Sequence, residues 1–194
     1  MGRLLDIIRG QRTPKRADLD RLFAISTAYP TLTVNLGLEP TGRAGVCFKP
    51  VDAGVFEELM RDLDQILGLA KEGDGTTVRR ELDGVGFAWV ILEDADFEDL
   101  VTTTHLVNQT IEERGFSERL LCSVFAFHNG PGGPPVDLVY AYKRGTFYPF
   151  APLGEPRRDN ALELRLQGAL SGEMPMEPEL ERWYPVWGAP VSPA

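Results

Sequence analysis

Histidine and cysteine are scarce in this sequence, which contains two of each: His105, His128, Cys47 and Cys122. Cys122 and His128 fall on one predicted strand, where six residues at about 3.3 Å each separate them by roughly 20 Å. That distance is too long for two ligands of one metal ion. We therefore expect no metal or other cofactor, and we expect both cysteines to be buried, reduced thiols.

Long hydrophobic runs are also missing, and no run approaches the roughly 18 residues that span a membrane. The apolar part of residues 1–10 is short and interrupted by Asp6 and arginines, so no secretory signal is expected. The chain has no G-x-S-x-G, S-x-x-K or Walker pattern, and the glycines of "GDGTT" (73–77) have no lysine after them. These absences favour a cytoplasmic protein that is not an enzyme.

Positive charge is sparse outside the N-terminus. Residues 1–16 hold five basic residues against one acidic residue, a balance of +4, so the rest of this chain of net charge -9 carries -13. So acidic a body argues against nucleic-acid binding, which needs a basic stripe. This N-terminal tip, residues 1–16, combines its basic residues, Arg9 among them, with the apolar residues Leu4, Leu5 and Ile8. The combination predicts a weak contact with a membrane surface or a partner. A frayed tail whose leucines dock on the body is the alternative.

Apolar residues recur at helical spacing in three segments after residue 50. Asp52 is a predicted N-cap for the first helix, and Asp96 for a second one that ends near Gly115. Asp159 begins the third. Strand patterns separate these helices and cover residues 43–49, 76–82, 85–92, 119–127 and 136–142.

This order of helices and hairpins predicts an α+β fold with a single antiparallel sheet of about five strands and helices packed mainly on one face. The order resembles that of small secretion chaperones. We expect a basic tip and linker at 1–16 and a single domain at 17–172. Residues 173–194, rich in proline and aromatic residues, are expected to pack on that domain as a tail.

Two groups of side chains are candidates for binding. On the second helix, Thr104 and Asn108 share a face with apolar residues, and His105 lies beside them. The two polar groups could bind a ligand, satisfy backbone groups of the sheet, or be exposed. A small-ligand-binding domain or uncharacterised enzyme with a pocket on the 96–114 helix is therefore an alternative function.

The second group is aromatic and lies in "YKRGTFYPFAP" (142–152) and "ERWYPVWGAP" (181–190). Such rings serve either as core anchors or as hot spots of a partner surface. Thr146 to Phe150 could run back as a short edge segment. The candidate partner residues are Arg144, Phe147, Tyr148, Trp183 and Trp187.

Several long strings carry a family resemblance, among them "EPTGRAGVCFKP" (39–50), "DFEDLVTTTHLVNQTIEERGF" (96–116) and the two aromatic segments. Together they make nearly the whole chain similar to the PspA-associated protein family PspAB. The resemblance implies an accessory role in the phage-shock, or envelope-stress, response of actinobacteria-like organisms. It implies as partners the membrane-remodelling coiled-coil protein PspA, the small protein PspAA and a membrane metalloprotease of the HtpX type. It brings no catalytic residues.

These observations lead us to expect a non-enzymatic adaptor that works with PspA at the cytoplasmic face of the membrane.

Overall fold

Four α-helices are present in the computed structural model, which describes residues 19–50, 53–70 and 75–191. They are α1 (Ala24–Pro30), α2 (Ala53–Ala70), α3 (Phe97–Ile111) and α4 (Asn160–Leu170). The Asp96 side chain accepts hydrogen bonds from the N–H groups of Glu98 and Asp99 at 2.8 and 3.2 Å, which satisfies donors at the start of α3. Asp159 accepts one from Leu162 at 2.9 Å and caps α4 in the same way. The predicted cap Asp52 lies outside the described residues.

The sheet has six strands, one more than the sequence predicts. They are β1 (Leu38–Phe48), β2 (Thr77–Leu82), β3 (Ala88–Glu93), β4 (Leu120–Asn129), β5 (Pro135–Ala141) and β6 (Thr146–Phe150). All pairs are antiparallel, in the order β2-β3-β1-β4-β5-β6. The sixth strand is the short segment that follows Gly145. Pro149 is tolerated there because β6 is an edge strand with one neighbour. The α+β prediction is confirmed.

Strand β1 begins at Leu38, five residues before the predicted start at 43. The sequence did not reveal this extension because of Pro40. Proline has no backbone N–H to donate, so it argues against a strand that is paired on both sides. Residues 38–40 pair with β4 alone, and the pairing with β3 starts at Arg43. An irregularity lies between Pro40 and Arg43, where Gly42 has a φ of 73° that favours glycine.

The hairpin between β2 and β3 has a five-residue loop, and β3 starts at Ala88 instead of at 85. Asp83 explains the difference. Its Oδ1 accepts the N–H groups of Val85 and Phe87 at 3.0 and 2.8 Å, and its backbone N–H donates to Phe87 O. These bonds hold a wider loop than the two-residue turn that Asp-Gly suggests.

The two faces of the sheet are covered differently. Side chains at alternate strand positions meet the helices, and Phe97 of α3 lies 6.0 and 5.7 Å from the rings of Phe125 and Phe127 on β4. The helices therefore pack on one face, which we call the helix face. The second face carries a separate apolar cluster that includes Trp89, Val124 and Val139.

Residues 175–191, the C-terminal segment, cover part of this second face. The segment pairs with the edge strand β6: Phe147 N–H donates to Pro175 O at 2.8 Å, and Glu177 N–H donates to Phe147 O at 2.7 Å. Further along, Trp183 and Val191 enter the cluster of the second face. The segment therefore closes the free edge of the sheet and then crosses over its surface.

The end of the C-terminal segment approaches the sheet closely at Gly45 of β1. A Cβ at this position would collide with Val191 Cγ2 and lie 3.1 Å from the Trp89 ring. We expect Gly45→Ala to lower the free energy of unfolding by about 1–3 kcal/mol, measured by urea unfolding.

The double substitution with Val191→Ala removes the colliding methyl group. We expect the loss caused by Gly45→Ala to be smaller in the Val191→Ala background than in the wild type. Equal losses in both backgrounds would show that Val191 does not pack on Gly45.

Candidate functional site

A groove of about 1210 Å³ lies between the second face of the sheet and the C-terminal segment. Its floor comes from the strands, one rim from the β2–β3 loop, and another from the turn between β5 and β6. The C-terminal segment from Glu177 to Gly188 forms the remaining wall. Residues far apart in sequence therefore meet around one concavity.

The floor is a row of opposed residues across neighbouring strands. Trp89 on β3 faces Cys47 on β1, Cys47 faces Cys122 on β4, and Cys122 faces Ala141 on β5. Three of these four side chains are small and project only a short way from the sheet. The C-terminal segment passes above them, and the space between the segment and the sheet stays open as the groove. Tyr148 of β6 adds an aromatic ring to the floor.

Hydrogen bonds fix the wall to the sheet. The Tyr148 hydroxyl donates to Tyr184 O at 2.9 Å, and Trp183 Nε1 donates to Glu177 O at 3.0 Å. Arg158 Nη1 donates to Trp183 O at 2.9 Å. Burial raises the pKa of the Tyr148 phenol well above its usual value, which keeps this donor protonated.

Glu177 joins the wall to the β5–β6 turn. Its side chain is 3% exposed, and its carboxylate lies 3.8 Å from both Arg144 Nε and Arg182 Nη1. It also accepts hydrogen bonds from the Thr146 hydroxyl at 3.1 Å and from Glu179 N–H at 3.2 Å. A buried carboxylate needs such partners, so Glu177 draws both cations toward the groove.

Asp83 organises the opposite rim. Its Oδ2 accepts a hydrogen bond from Trp89 Nε1 at 2.9 Å, which ties the loop to the floor. Burial raises the pKa of the Asp83 carboxyl, but the hydrogen bonds from Trp89 and from the N–H groups of Phe87 and Val85 outweigh it. The pKa is therefore lower than the ordinary 3.8.

Apolar side chains are exposed along the rim. Val85 on the β2–β3 loop is 79% exposed, and Tyr184 on the C-terminal segment is 65% exposed. Trp187 also lines the groove and is half-buried, with its ring 4.7 Å from that of Phe150. The groove can therefore offer apolar contact area at its mouth as well as at its floor.

The predicted aromatic surface is divided between the two faces. Arg144, Tyr148 and Trp187 line the groove, whereas Phe147 is fully buried on the helix face, 4.6 Å from the Tyr140 ring. Successive strand residues point to opposite faces, so Phe147 and Tyr148 cannot serve one surface. Trp183 is buried beneath the wall. Phe147 and Trp183 are thus core anchors, the alternative that the sequence left open.

The polar group on α3 lies on the helix face, away from the groove. The Thr104 hydroxyl donates to Leu100 O of its own helix at 2.7 Å, and Asn108 Nδ2 donates to the Ser123 hydroxyl at 3.4 Å. Ser123 in turn contacts the Tyr142 hydroxyl. The His105 ring packs 4.7 Å from that of Phe23. None of the three predicted side chains lines the groove.

The predicted tip residues Leu4, Leu5, Ile8 and Arg9 lie outside the described residues. Within the described ranges, no helix is both long and apolar enough to cross a membrane. The same ranges contain no group of three or more histidine, cysteine or acidic residues that could hold a metal ion.

Sequence reasoning missed the two cysteines as a pair, because β1 and β4 are not consecutive and their register cannot be read from the sequence. It also missed Glu177, whose only signal is an acidic residue within a proline-rich stretch.

Comparison with known families gives a match to the family described as PspAB: PspA associated protein B, which covers residues 1–191 of the 194. No curated protein matches the chain.

Glu177 provides a first test of the site. Glu177→Gln keeps the shape of the side chain but removes the negative charge between two arginines. We expect the free energy of unfolding to fall by about 1.5–3 kcal/mol, the scale of hydrogen bonds to a charged group. The matched control is Glu179→Gln, because Glu179 is half exposed and pairs with the same Arg182 at 2.7 Å. It should change stability by less than about 0.5 kcal/mol. Equal effects would contradict the role given to Glu177.

Asp83 provides a test that depends on pH. Because its pKa is lowered by folding, the carboxylate stabilises the protein above pH 3.8, and this contribution is lost as pH falls through the folded-state pKa. We expect the stability difference between wild type and Asp83→Asn, from urea unfolding, to shrink as pH falls. A difference that grows at low pH would contradict the assignment.

Proposed function

The chain belongs to the PspAB family, and on that premise we propose that it is a non-enzymatic adaptor that binds PspA in the groove. The family description links the protein to PspA. The groove is the surface that contacts PspA, and it receives one helical segment of that protein.

The observation that carries the proposal is the size and lining of the groove. Sites for small molecules usually measure about 300–1,000 Å³ and bury most of the ligand. This groove is larger, at about 1210 Å³, and has apolar side chains standing exposed at its mouth. Exposed aromatic and aliphatic residues around a concavity are typical of a site for a polypeptide segment.

The charges at the rim favour an amphipathic helix as the occupant. Lys143, Arg144 and Arg182 contribute positive charge, and Asp83 and Glu155 contribute negative charge. A helix of a coiled-coil protein has an apolar stripe flanked by residues of both signs. Such a helix would place its stripe on the floor formed by Trp89 and Tyr148, with its charged flanks along the rims.

The chemistry of the floor supports binding over catalysis. The neighbouring Cys122 thiol and burial raise the pKa of the Cys47 thiol, and burial raises that of the Tyr148 phenol. Both groups are therefore held neutral, and a neutral thiol or phenol is a weak nucleophile.

The proposal extends to the setting in which the adaptor acts. We place it in the cytoplasm, at the membrane face where PspA works, with PspAA and an HtpX-type protease as further partners. The basic, leucine-containing tip of residues 1–16 supports a weak contact with anionic lipid at that face.

Two valines of nearly equal exposure allow a matched test. Val85 at the groove mouth is 79% exposed, and Val34, outside the groove lining, is 81% exposed. We expect Val85→Asp to weaken binding of purified PspA at least tenfold in a titration, because an apolar contact at the groove mouth is lost and a carboxylate would be desolvated against the bound helix. Val34→Asp adds the same charge elsewhere and should leave the affinity within about twofold.

Unchanged affinity of Val85→Asp, or equal loss in both variants, would reject the groove as the PspA site. Failure of the wild-type protein to bind PspA in the same titration would reject the proposed function itself.

A further inference from the structure

We propose that Cys47 and Cys122 form an oxidisable dithiol, which peroxide converts into a disulfide between β1 and β4 on the floor of the groove. The inference concerns a covalent modification site, and it does not depend on the proposal that PspA binds in the groove.

The positions of the two residues fit the bond. They are direct partners in the antiparallel register of β1 and β4. Opposed residues in such a pair have Cα atoms about 4.5–5.5 Å apart, inside the roughly 4.4–6.8 Å range found for disulfides. Both residues are free cysteines in this structure. No large backbone movement is needed to join them.

An irregularity of the sheet lies directly beside the pair. The register of β1 against β4 shifts between Cys47 and Phe48. At such a shift the ladder is interrupted and the backbone is less constrained than in a regular stretch. Small adjustments that bring the two sulfur atoms to bonding distance can therefore be taken up locally.

The two thiols differ in solvent exposure, and this difference determines which of them peroxide oxidises first. Both line the groove, which is open to solvent, but Cys47 is 3% exposed while Cys122 is partly exposed. Peroxide diffusing into the groove therefore meets Cys122 first. Cys47 lies beside it on the neighbouring strand and is more buried, which suits a resolving cysteine.

The reaction balances with one molecule of hydrogen peroxide. The Cys122 thiolate attacks one peroxide oxygen, the O–O bond breaks, and the products are a sulfenic acid on Cys122 and hydroxide, which is protonated to water. Cys47 then loses its proton and its sulfur attacks the Cys122 sulfur, the S–O bond breaks, and the released hydroxide takes up a proton and leaves as a second water. Two thiols are oxidised to one disulfide while one peroxide is reduced to two waters.

The protonated state of Cys47 slows the second step. The contact with Cys122 and burial raise the pKa of the Cys47 thiol, so little of it is thiolate at neutral pH. The sulfenic acid on Cys122 should therefore live long enough to be trapped by dimedone.

The experiment uses the purified, reduced full-length chain under native conditions. It is treated with hydrogen peroxide at several protein concentrations, blocked with N-ethylmaleimide, and analysed by intact-mass and peptide mass spectrometry. We expect loss of two hydrogens, a linked peptide pair containing Cys47 and Cys122, and full reversal by dithiothreitol. The yield should not depend on protein concentration, since the bond is intramolecular.

Two variants assign the roles. Cys47→Ser cannot form the disulfide, and dimedone labelling of Cys122 should rise severalfold because the resolving thiol is gone. Cys122→Ser should leave Cys47 largely unlabelled, because Cys47 is buried. Circular dichroism establishes that each variant is folded. The identification of the disulfide in the wild-type protein does not depend on either variant.

Recovery of both cysteines as free thiols after excess peroxide would overturn the proposal. So would a disulfide that forms only between chains, or oxidation of Cys122 to sulfinic acid while Cys47 remains reduced.

Discussion

A sheet that packs helices on one face must still cover the apolar side chains of the other. In this protein, that requirement falls on the C-terminal segment. The segment pairs with β6 through Phe147, closes the free edge, and then lays Trp183 and Val191 on the second face. Burial of a large apolar side chain contributes about 1.5–3 kcal/mol, so two such anchors hold the chain end firmly. The wall of the groove exists because the segment is fixed at both ends.

The groove follows from what the segment leaves uncovered. Opposed Cys47 and Cys122, with Ala141 beside them, form a low strip of the sheet surface between Trp89 and the edge. Bulkier residues on this strip would fill the space beneath the wall. Glu177 then keeps the wall and the β5–β6 turn together, since its buried carboxylate needs both Arg144 and Arg182 nearby. The same contacts that stabilise the fold therefore also shape the site.

Local signals predicted much of the fold. Helix caps at Asp96 and Asp159 lie where the sequence placed them, because a cap depends on residues only three positions apart. Short turns between consecutive strands, in an order that alternates hairpins with helices, indicated the antiparallel α+β class. The start of β1 was wrong because Pro40 is permitted where β1 has a single neighbour, a condition that only the assembled sheet reveals.

The site was much harder to predict than the fold. Arg144, Tyr148 and Trp187 were singled out and line the groove, but Phe147 points to the other face, since β6 alternates at every residue. Cys47 and Cys122 meet through the register of two strands separated by a helix, a hairpin and a second helix. No single stretch of sequence indicates that the two cysteines are paired, or that small side chains from three strands meet to form the groove floor.

The central claim is that PspA occupies the groove, and site-specific photocrosslinking in cells tests it most directly. A photoreactive residue replaces Tyr184 at the groove wall or, as the matched control, Leu164 on the exposed side of α4. The account predicts a crosslink to PspA from position 184 and none from position 164. A crosslink from position 164 alone, or none from position 184 while PspA is present and bound, would contradict it.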